Sequence, residues 1–228
     1  MSFFVDKRRQ RLGRLIDRRR LRNKSFSLIS NDCWGAEVYK HFDMPFNTPF
    51  IGLMLQAPCF VKLAQNPRHY LAQPLVFHAE SRYASINELR TRLDHYVPLA
   101  TLGGDVEITF LHYHSDEEAR AKWNKRARRV RWDNVYFKFD GSKDSATPEL
   151  VQEFDQIPYP HLTLLREPQP GIGSAIVVPH YILDGLQQFE RSLPHFDLVG
   201  WLNGGGLHPG PALRLYSKVF FPIIFPGK

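Results

Sequence analysis

Phe26-Ser27-Leu28-Ile29-Ser30-Asn31-Asp32-Cys33-Trp34-Gly35 is an apolar run closed by a polar turn, and a helical pattern follows it to residue 42. Mostly apolar residues bounded by turn formers read as a buried strand, and residues 36–42 read as a helix. Strand, turn and helix in that order are the building unit of an α/β sheet. The alternation recurs. Strands are predicted over 50–55, 75–78, 106–114, 135–139 and 162–165, with a further apolar run at 175–178.

Helices are predicted over 59–64, 86–93, 149–156 and 186–193. Pro58 suits the first turn of one of them, and Thr147 with Pro148 marks the start of another. Ser115 and Glu118 have capping-box spacing ahead of a further helix, with Asp116, Glu117 and Glu118 at its positive end. The fold class is α/β: three layers, a mixed or mostly parallel sheet with helices on both faces. A Pro/Gly loop at 168–173 marks a boundary. The expected organisation is a basic leader at 1–25, an α/β domain at 26–167, and an extension at 168–228 packed on that domain. Residues 213–225 of the extension are apolar and aromatic, which fits packing back on the domain or meeting a partner.

With 228 residues, 43% hydrophobic and 13% aromatic, the chain can bury a sizeable core, which excludes wholesale disorder. Its 15 Gly and 17 Pro follow no period, which excludes a collagen-like fibre. Apolar stretches fall well short of the ~20 residues of a membrane-spanning helix. No secretory signal is expected, because Phe3-Phe4-Val5 precedes the basic run and no long apolar block follows it. Two cysteines, Cys33 and Cys59, argue against a disulfide scaffold and fit a reducing cytoplasm.

The charge of +7 is uneven. Residues 1–25 hold ten Lys/Arg against Asp6 and Asp17, a net +8, which leaves −1 for the remainder. Leu12, Leu15 and Ile16 are interleaved with arginines, so the leader reads as a basic amphipathic anchor on an anionic membrane surface. Arg8, Arg11, Arg18, Arg19 and Arg22 are the residues expected to meet lipid, and the alternative is a solvated leader with no partner. Nucleic acid is not an expected partner: no aromatics are spaced through the run to stack on bases.

Three groups of residues could carry chemistry. Cys33 falls beside a helix N-terminus at the carboxyl end of a strand, where the dipole lowers a thiol's pKa and a nearby base would make it a nucleophile. A cysteine there equally reads as a packed core residue, and Asn31 and Asp32 as turn and capping residues. His112 and His114 share one face if residues 106–114 form a single strand, and either suits a general base. Asp105 and Glu107 fall on the opposite face. Two histidines without a close third ligand give no metal site, and no cofactor is expected. In the helix after Ser115, Ala119, Trp123, Ala127 and Val130 make the apolar stripe. Arg126 borders it, with Lys122 and Arg129 on the same flank, a clamp for phosphate or carboxylate or else a solvated face.

Several separated blocks stand in series: the segment 26–39, then Pro45-Phe46-Asn47-Thr48-Pro49-Phe50-Ile51-Gly52-Leu53, then Asp105-Val106-Glu107-Ile108 and Phe110-Leu111-His112-Tyr113-His114-Ser115-Asp116-Glu117-Glu118-Ala119, then Lys122-Trp123-Asn124-Lys125-Arg126 and Trp132-Asp133-Asn134. In this series the chain resembles the domain-of-unknown-function 1919 family over roughly residues 26–167. Asp32 stands where the family commonly has a second Asn, and Ala36 where it commonly has a second Gly. The resemblance implies a link to bacterial surface polysaccharide, since members are often labelled exopolysaccharide biosynthesis proteins. The layout is also similar to that of papain-like cysteine enzymes, with Cys at a helix N-terminus and His further along.

The expected function is a cytoplasmic protein at the inner face of the membrane, acting in exopolysaccharide or capsule biosynthesis as a glycosyl or acyl group transferase. Its expected partners are an activated sugar or acyl donor and a glycan acceptor. Cys33 with His112 or His114 would be catalytic, and Asn31, Trp34, Asp105, Lys122, Arg126 and Arg129 would bind substrate. The alternative is a non-catalytic, membrane-associated binding or assembly protein of the same pathway.

Overall fold

The computed structural model describes residues 2–179 and 185–208, with side chains described from residue 11 onward. In chain order the elements are α1 (Ser2–Arg20), β1 (Ser27–Ser30), α2 (Trp34–Phe42), α3 (Ala57–Gln65), α4 (Pro67–Leu71), β2 (Val76–Phe77) and α5 (Ala84–Arg92). They continue with β3 (Leu99–Leu102), β4 (Val106–Thr109), α6 (Asp116–Ala127), β5 (Val135–Asp140), α7 (Pro148–Phe154), β6 (His161–Leu165), β7 (Ala175–Val177), α8 (Gly185–Ser192) and α9 (Leu198–Leu202).

The fold is α/β. A parallel sheet runs in the order β1-β5-β6-β7, and a separate antiparallel sheet runs β2-β3-β4. All six residues of β5, Val-Tyr-Phe-Lys-Phe-Asp, are buried because the strand lies between two neighbours and under helices on both faces. Its side chains alternate accordingly. Phe137 and Phe139 enter one core with Phe60 of α3 and Phe154 of α7, while Tyr136 enters the other with Trp34, Phe189 and Trp201. Losing one of those phenylalanines to Ala would cost about 3–5 kcal/mol. β7 extends the same sheet beyond the 168–173 loop, and Phe196–Leu202 belong to the second core.

The helix starts follow the sequence. Ser115 Oγ accepts the Glu118 amide at 3.1 Å, and Thr147 Oγ1 accepts the Leu150 amide at 3.3 Å ahead of Pro148. Two strand expectations are corrected. Residues 50–55 form no strand, only one antiparallel bridge, Met54 to Thr109. Pro49 and the positive φ of Gly52 break the ladder, and the run is apolar because Phe50, Ile51, Leu53 and Leu55 are buried. The strand expected over 106–114 stops at Thr109, and the chain turns so that Tyr113 N–H bonds Phe110 O. His112 and His114 therefore do not share a strand face.

The leader is a docked helix. Asp17 and His41 pair at 2.9 Å with both side chains buried, Arg20 meets Asp197 at 2.8 Å, and Leu21 joins the core. Of the arginines expected to meet lipid, Arg18 also bonds His41 O at 2.9 Å and pairs with Asp43 at 3.5 Å. Arg11, Arg19 and Arg22 are exposed. The side chain of Arg8 and the apolar segment 213–225 lie outside the described residues. Among the described residues, no helix is long and apolar enough to cross a membrane.

Candidate active site

β1 ends at Ser30, and the chain turns through Asn31, Asp32 and Cys33 into α2. Asp32 builds the turn: its Oδ1 accepts the Trp34 amide at 3.1 Å and the Ser30 hydroxyl at 2.9 Å. Cys33 opens α2 with helical φ and ψ, and its side chain makes no capping bond. The sulfur is left at the carboxyl edge of the parallel sheet, the edge at which open α/β sheets bind ligands.

His112 comes to it from the far end of the antiparallel sheet. Its Nε2 lies 3.6 Å from Cys33 Sγ, although 79 positions separate the two. The His112 amide donates to Gly52 O at 3.0 Å. Gly52 has φ +70°, and a Cβ on it would stand 3.1 Å from His112 Cβ, so both backbone and space call for glycine. Next along, the Tyr113 hydroxyl donates to Ile51 O at 2.6 Å and accepts from Arg126 at 2.7 Å. The Arg126 guanidinium also lies 5.2 Å from the centre of the Phe46 ring. Lys122 bonds Glu118 and sits 5.3 Å from the centre of the Tyr113 ring.

Cys33, His112, Tyr113, Lys122 and Arg126 line one open cleft of about 300 Å³, which Glu37 and Lys40 of α2 also line. Its walls carry three cations and one carboxylate, which suits an anionic ligand.

Burial and the charges beneath the cleft set the state of the sulfur. Burial first, and Asp32 second, push the Cys33 thiol up to about 11, while Lys143 pulls the other way. The expectation of a thiol lowered by the helix dipole is thereby corrected. The surroundings favour neutral S–H. Burial would also raise the Asp32 carboxyl, but Lys138 and Lys143 outweigh it and hold that group far below the carboxylate range. Burial holds Lys138 below the ordinary lysine value despite Asp32 and Asp140.

Of the residues singled out from sequence, Cys33, His112, Lys122 and Arg126 meet at the cleft, and the others do not line it. Asn31 is fully buried, its Oδ1 accepting the Asp140 amide at 2.8 Å. Trp34 is fully buried too, its indole N–H bonding Ser192 at 3.0 Å. Asp105 turns to Lys62 at 3.0 Å and Tyr70 at 3.3 Å. His114 packs its ring against His95, with centroids 5.0 Å apart. Arg129 reaches back to Phe46 O at 3.4 Å.

Sequence reasoning passed over Lys138, Asp140, Lys143 and Gln188. Lys138 Nζ bonds Asp32 at 2.7 Å and Gln188 at 2.6 Å, and Lys143 Nζ lies 3.1 Å from Asp32 and 3.5 Å from Asp140. The signal was present: a lysine within a run predicted as a buried strand needs a buried partner.

Fold and cleft define an α/β protein with a cysteine–histidine pair at the carboxyl edge of its parallel sheet. Residues 5–203 match the family described as "Domain of unknown function (DUF1919)", and the chain belongs to that family. The match takes in most of the leader helix and extends past the 168–173 loop. An uncharacterized protein of Haemophilus influenzae (strain ATCC 51907 / DSM 11121 / KW20 / Rd) is 30% identical over 198 residues, covering 86% of each chain.

Proposed function

We propose that this protein is a group transferase in which Cys33 is the nucleophile, His112 the general base and acid, and Arg126 with Lys122 the anchor for an anionic part of the donor. The observation that carries the reading is the 3.6 Å approach of Cys33 Sγ to His112 Nε2 in a cleft walled by those cations. The Cys33 thiol attacks the electrophilic carbon of the donor. A sulfur–carbon bond forms, the donor's leaving group departs with its electron pair, and the thiol proton passes through His112 to that group. An acceptor hydroxyl then attacks the same carbon, the sulfur–carbon bond breaks, and the hydroxyl proton returns through His112 to sulfur.

Thiolates form thioesters readily, so acyl transfer suits this pair better than glycosyl transfer. The pathway reading is bacterial surface polysaccharide, exopolysaccharide or capsule, with an activated acyl or sugar donor and a glycan acceptor. The protein would work in the cytoplasm against the inner face of the membrane, where lipid-linked acceptors reside and the exposed arginines of α1 find anionic headgroups.

The test is purified protein given an acyl donor and an oligosaccharide acceptor. Turnover should vanish in Cys33→Ser and fall at least a hundredfold in His112→Asn. Mass spectrometry of the donor-only reaction should find the acyl group on the Cys33 peptide. Undiminished turnover in Cys33→Ser ends the covalent reading. One observation favours a non-catalytic binding or assembly protein instead: a thiol pushed up to about 11 is a poor resting nucleophile. Ligand binding equal in Cys33→Ser and the parent, with no turnover in either, would support that second reading.

A further inference from the structure

Directly beneath Cys33 lies a buried set of charges that the transfer chemistry does not itself touch. Asp32 builds the turn that presents the sulfur, and one of its oxygens, Oδ2, is held by two ammonium groups, Lys138 at 2.7 Å and Lys143 at 3.1 Å. Lys138 is fully buried in the middle of β5, where it also ties down Gln188 of α8. Lys143 is nearly buried and comes from the loop that follows β5. In that loop Asp144 and Ser145 take φ of 55° and 65°, a left-handed path that side chains adopt only when the surroundings hold them there.

We propose that Lys143 is a positioning residue for Cys33: by neutralising Asp32, it keeps that carboxylate from suppressing ionisation of the neighbouring thiol. A lone carboxylate beside a sulfur opposes thiolate formation, and the same carboxylate paired with an ammonium opposes it less. Lys138 serves as the structural half of the arrangement, walled in by β5 and α8. Lys143 comes from the loop at the sheet edge next to the sulfur and also pairs with Asp140 at 3.5 Å and Asp144 at 3.8 Å. Among the described residues, the other charged or titratable groups lining the cleft with the thiol are Glu37 and Lys40 of α2, His112 and Tyr113 after β4, and Lys122 and Arg126 of α6.

The proposal deepens the reading of Cys33 as nucleophile, but its test uses no turnover, so the two fail separately. The full-length protein is alkylated with iodoacetamide from pH 7 to 10, and peptide mapping reads Cys33 and the buried Cys59 independently. Lys143→Met should slow Cys33 labelling at pH 8 by about tenfold, because thiolate fraction falls tenfold per pKa unit. Lys143→Arg should restore it. Asp32→Asn should speed it, and Lys143→Met added to Asp32→Asn should slow it less than Lys143→Met does alone, the remainder being the direct pull of that ammonium on the thiol. Rising Cys59 labelling would expose a loosened fold, and the comparison then rests on the Arg and Asn variants. Unchanged Cys33 labelling in Lys143→Met, or an equal slowing in the Asp32→Asn background, overturns the proposal.

Discussion

Gly185, the first residue of α8, backs directly onto Cys33: a Cβ built on it would stand 2.6 Å from Cys33 Cβ and 3.0 Å from its backbone carbonyl carbon. Real atoms do not approach so closely, so α8 can hold its place only with hydrogen at that position. The Cys33 turn is thus clamped from behind by a helix that also supplies Gln188 to Lys138. Gly185→Ala should push α8 and the Cys33 turn apart, at a cost of about 1–3 kcal/mol for overpacking. Urea midpoints should fall together with loss of turnover. Parental values in both would mean the approach is not a constraint.

The raised thiol makes a prediction about reactivity. With its pKa pushed up to about 11, Cys33 should gain alkylation rate about tenfold per pH unit from 7 to 10. A plateau by pH 8 would show a thiolate already formed, and with it a stronger pull from His112 and the helix end than burial and Asp32 oppose. Cys59 is almost completely buried and bonded to Tyr83 at 3.3 Å, so its labelling should stay slower throughout.

Much of the frame was legible because its signals are local. Ser115 with Glu118, and Thr147 with Pro148, announce helix starts through bonds spanning three residues, and 135–139 and 162–165 read as strands from composition alone. Residues 50–55 misled because a continuous apolar run reports burial rather than conformation. Nothing in Phe110–His114 marks a turn, since neither glycine nor proline stands there; the turn is imposed by Pro98 O and Gly52 O accepting the Phe110 and His112 amides. The meeting of Cys33 with His112 depends on how two sheets stack, which no spacing along one chain encodes. Lys138 is the opposite case. Its charge, set among Tyr136, Phe137 and Phe139, was visible as an anomaly, and its partners Asp32 and Gln188 were not.

The leader's arginines differ in what they touch: Arg18 bonds His41 O and Asp43, while Arg11, Arg19 and Arg22 are exposed. At 100° per residue, Leu12, Leu15 and Arg19 of α1 share one side, opposite the docked Asp17, and Arg11 and Arg22 are exposed as well. Leu12 and Leu15 are 52% and 54% exposed there, beside three exposed arginines. Replacing Arg11, Arg19 and Arg22 together with Ala should weaken sedimentation with phosphatidylserine-rich vesicles by roughly 1 kcal/mol per residue, and the parental binding should fade as salt rises. Arg18→Ala should instead lower the thermal midpoint and leave vesicle binding nearly unchanged, since that guanidinium is spent on His41 and Asp43. Salt-insensitive binding, or equal loss in Arg18→Ala, contradicts this division.

Asp144 gives a pH signature to the loop beside the site. Burial, partly opposed by Lys143, raises its carboxyl from an ordinary 3.8 to about 6. Below pH 3.8 the group is neutral both folded and unfolded, and the fold keeps its full stability. Between 3.8 and 6 the unfolded chain ionises first, so stability drains away as pH rises, and above 6 the loss is complete. Asp144→Asn removes the charge that must be buried, and Asn tolerates the left-handed φ of 55° at this position. The variant should therefore match the parent near pH 4 and exceed it by about 1–3 kcal/mol at pH 7.5, read from urea midpoints at the two pH values. A gain confined to pH 4, or a loss at pH 7.5, would show that the 3.8 Å attraction to Lys143 outweighs burial.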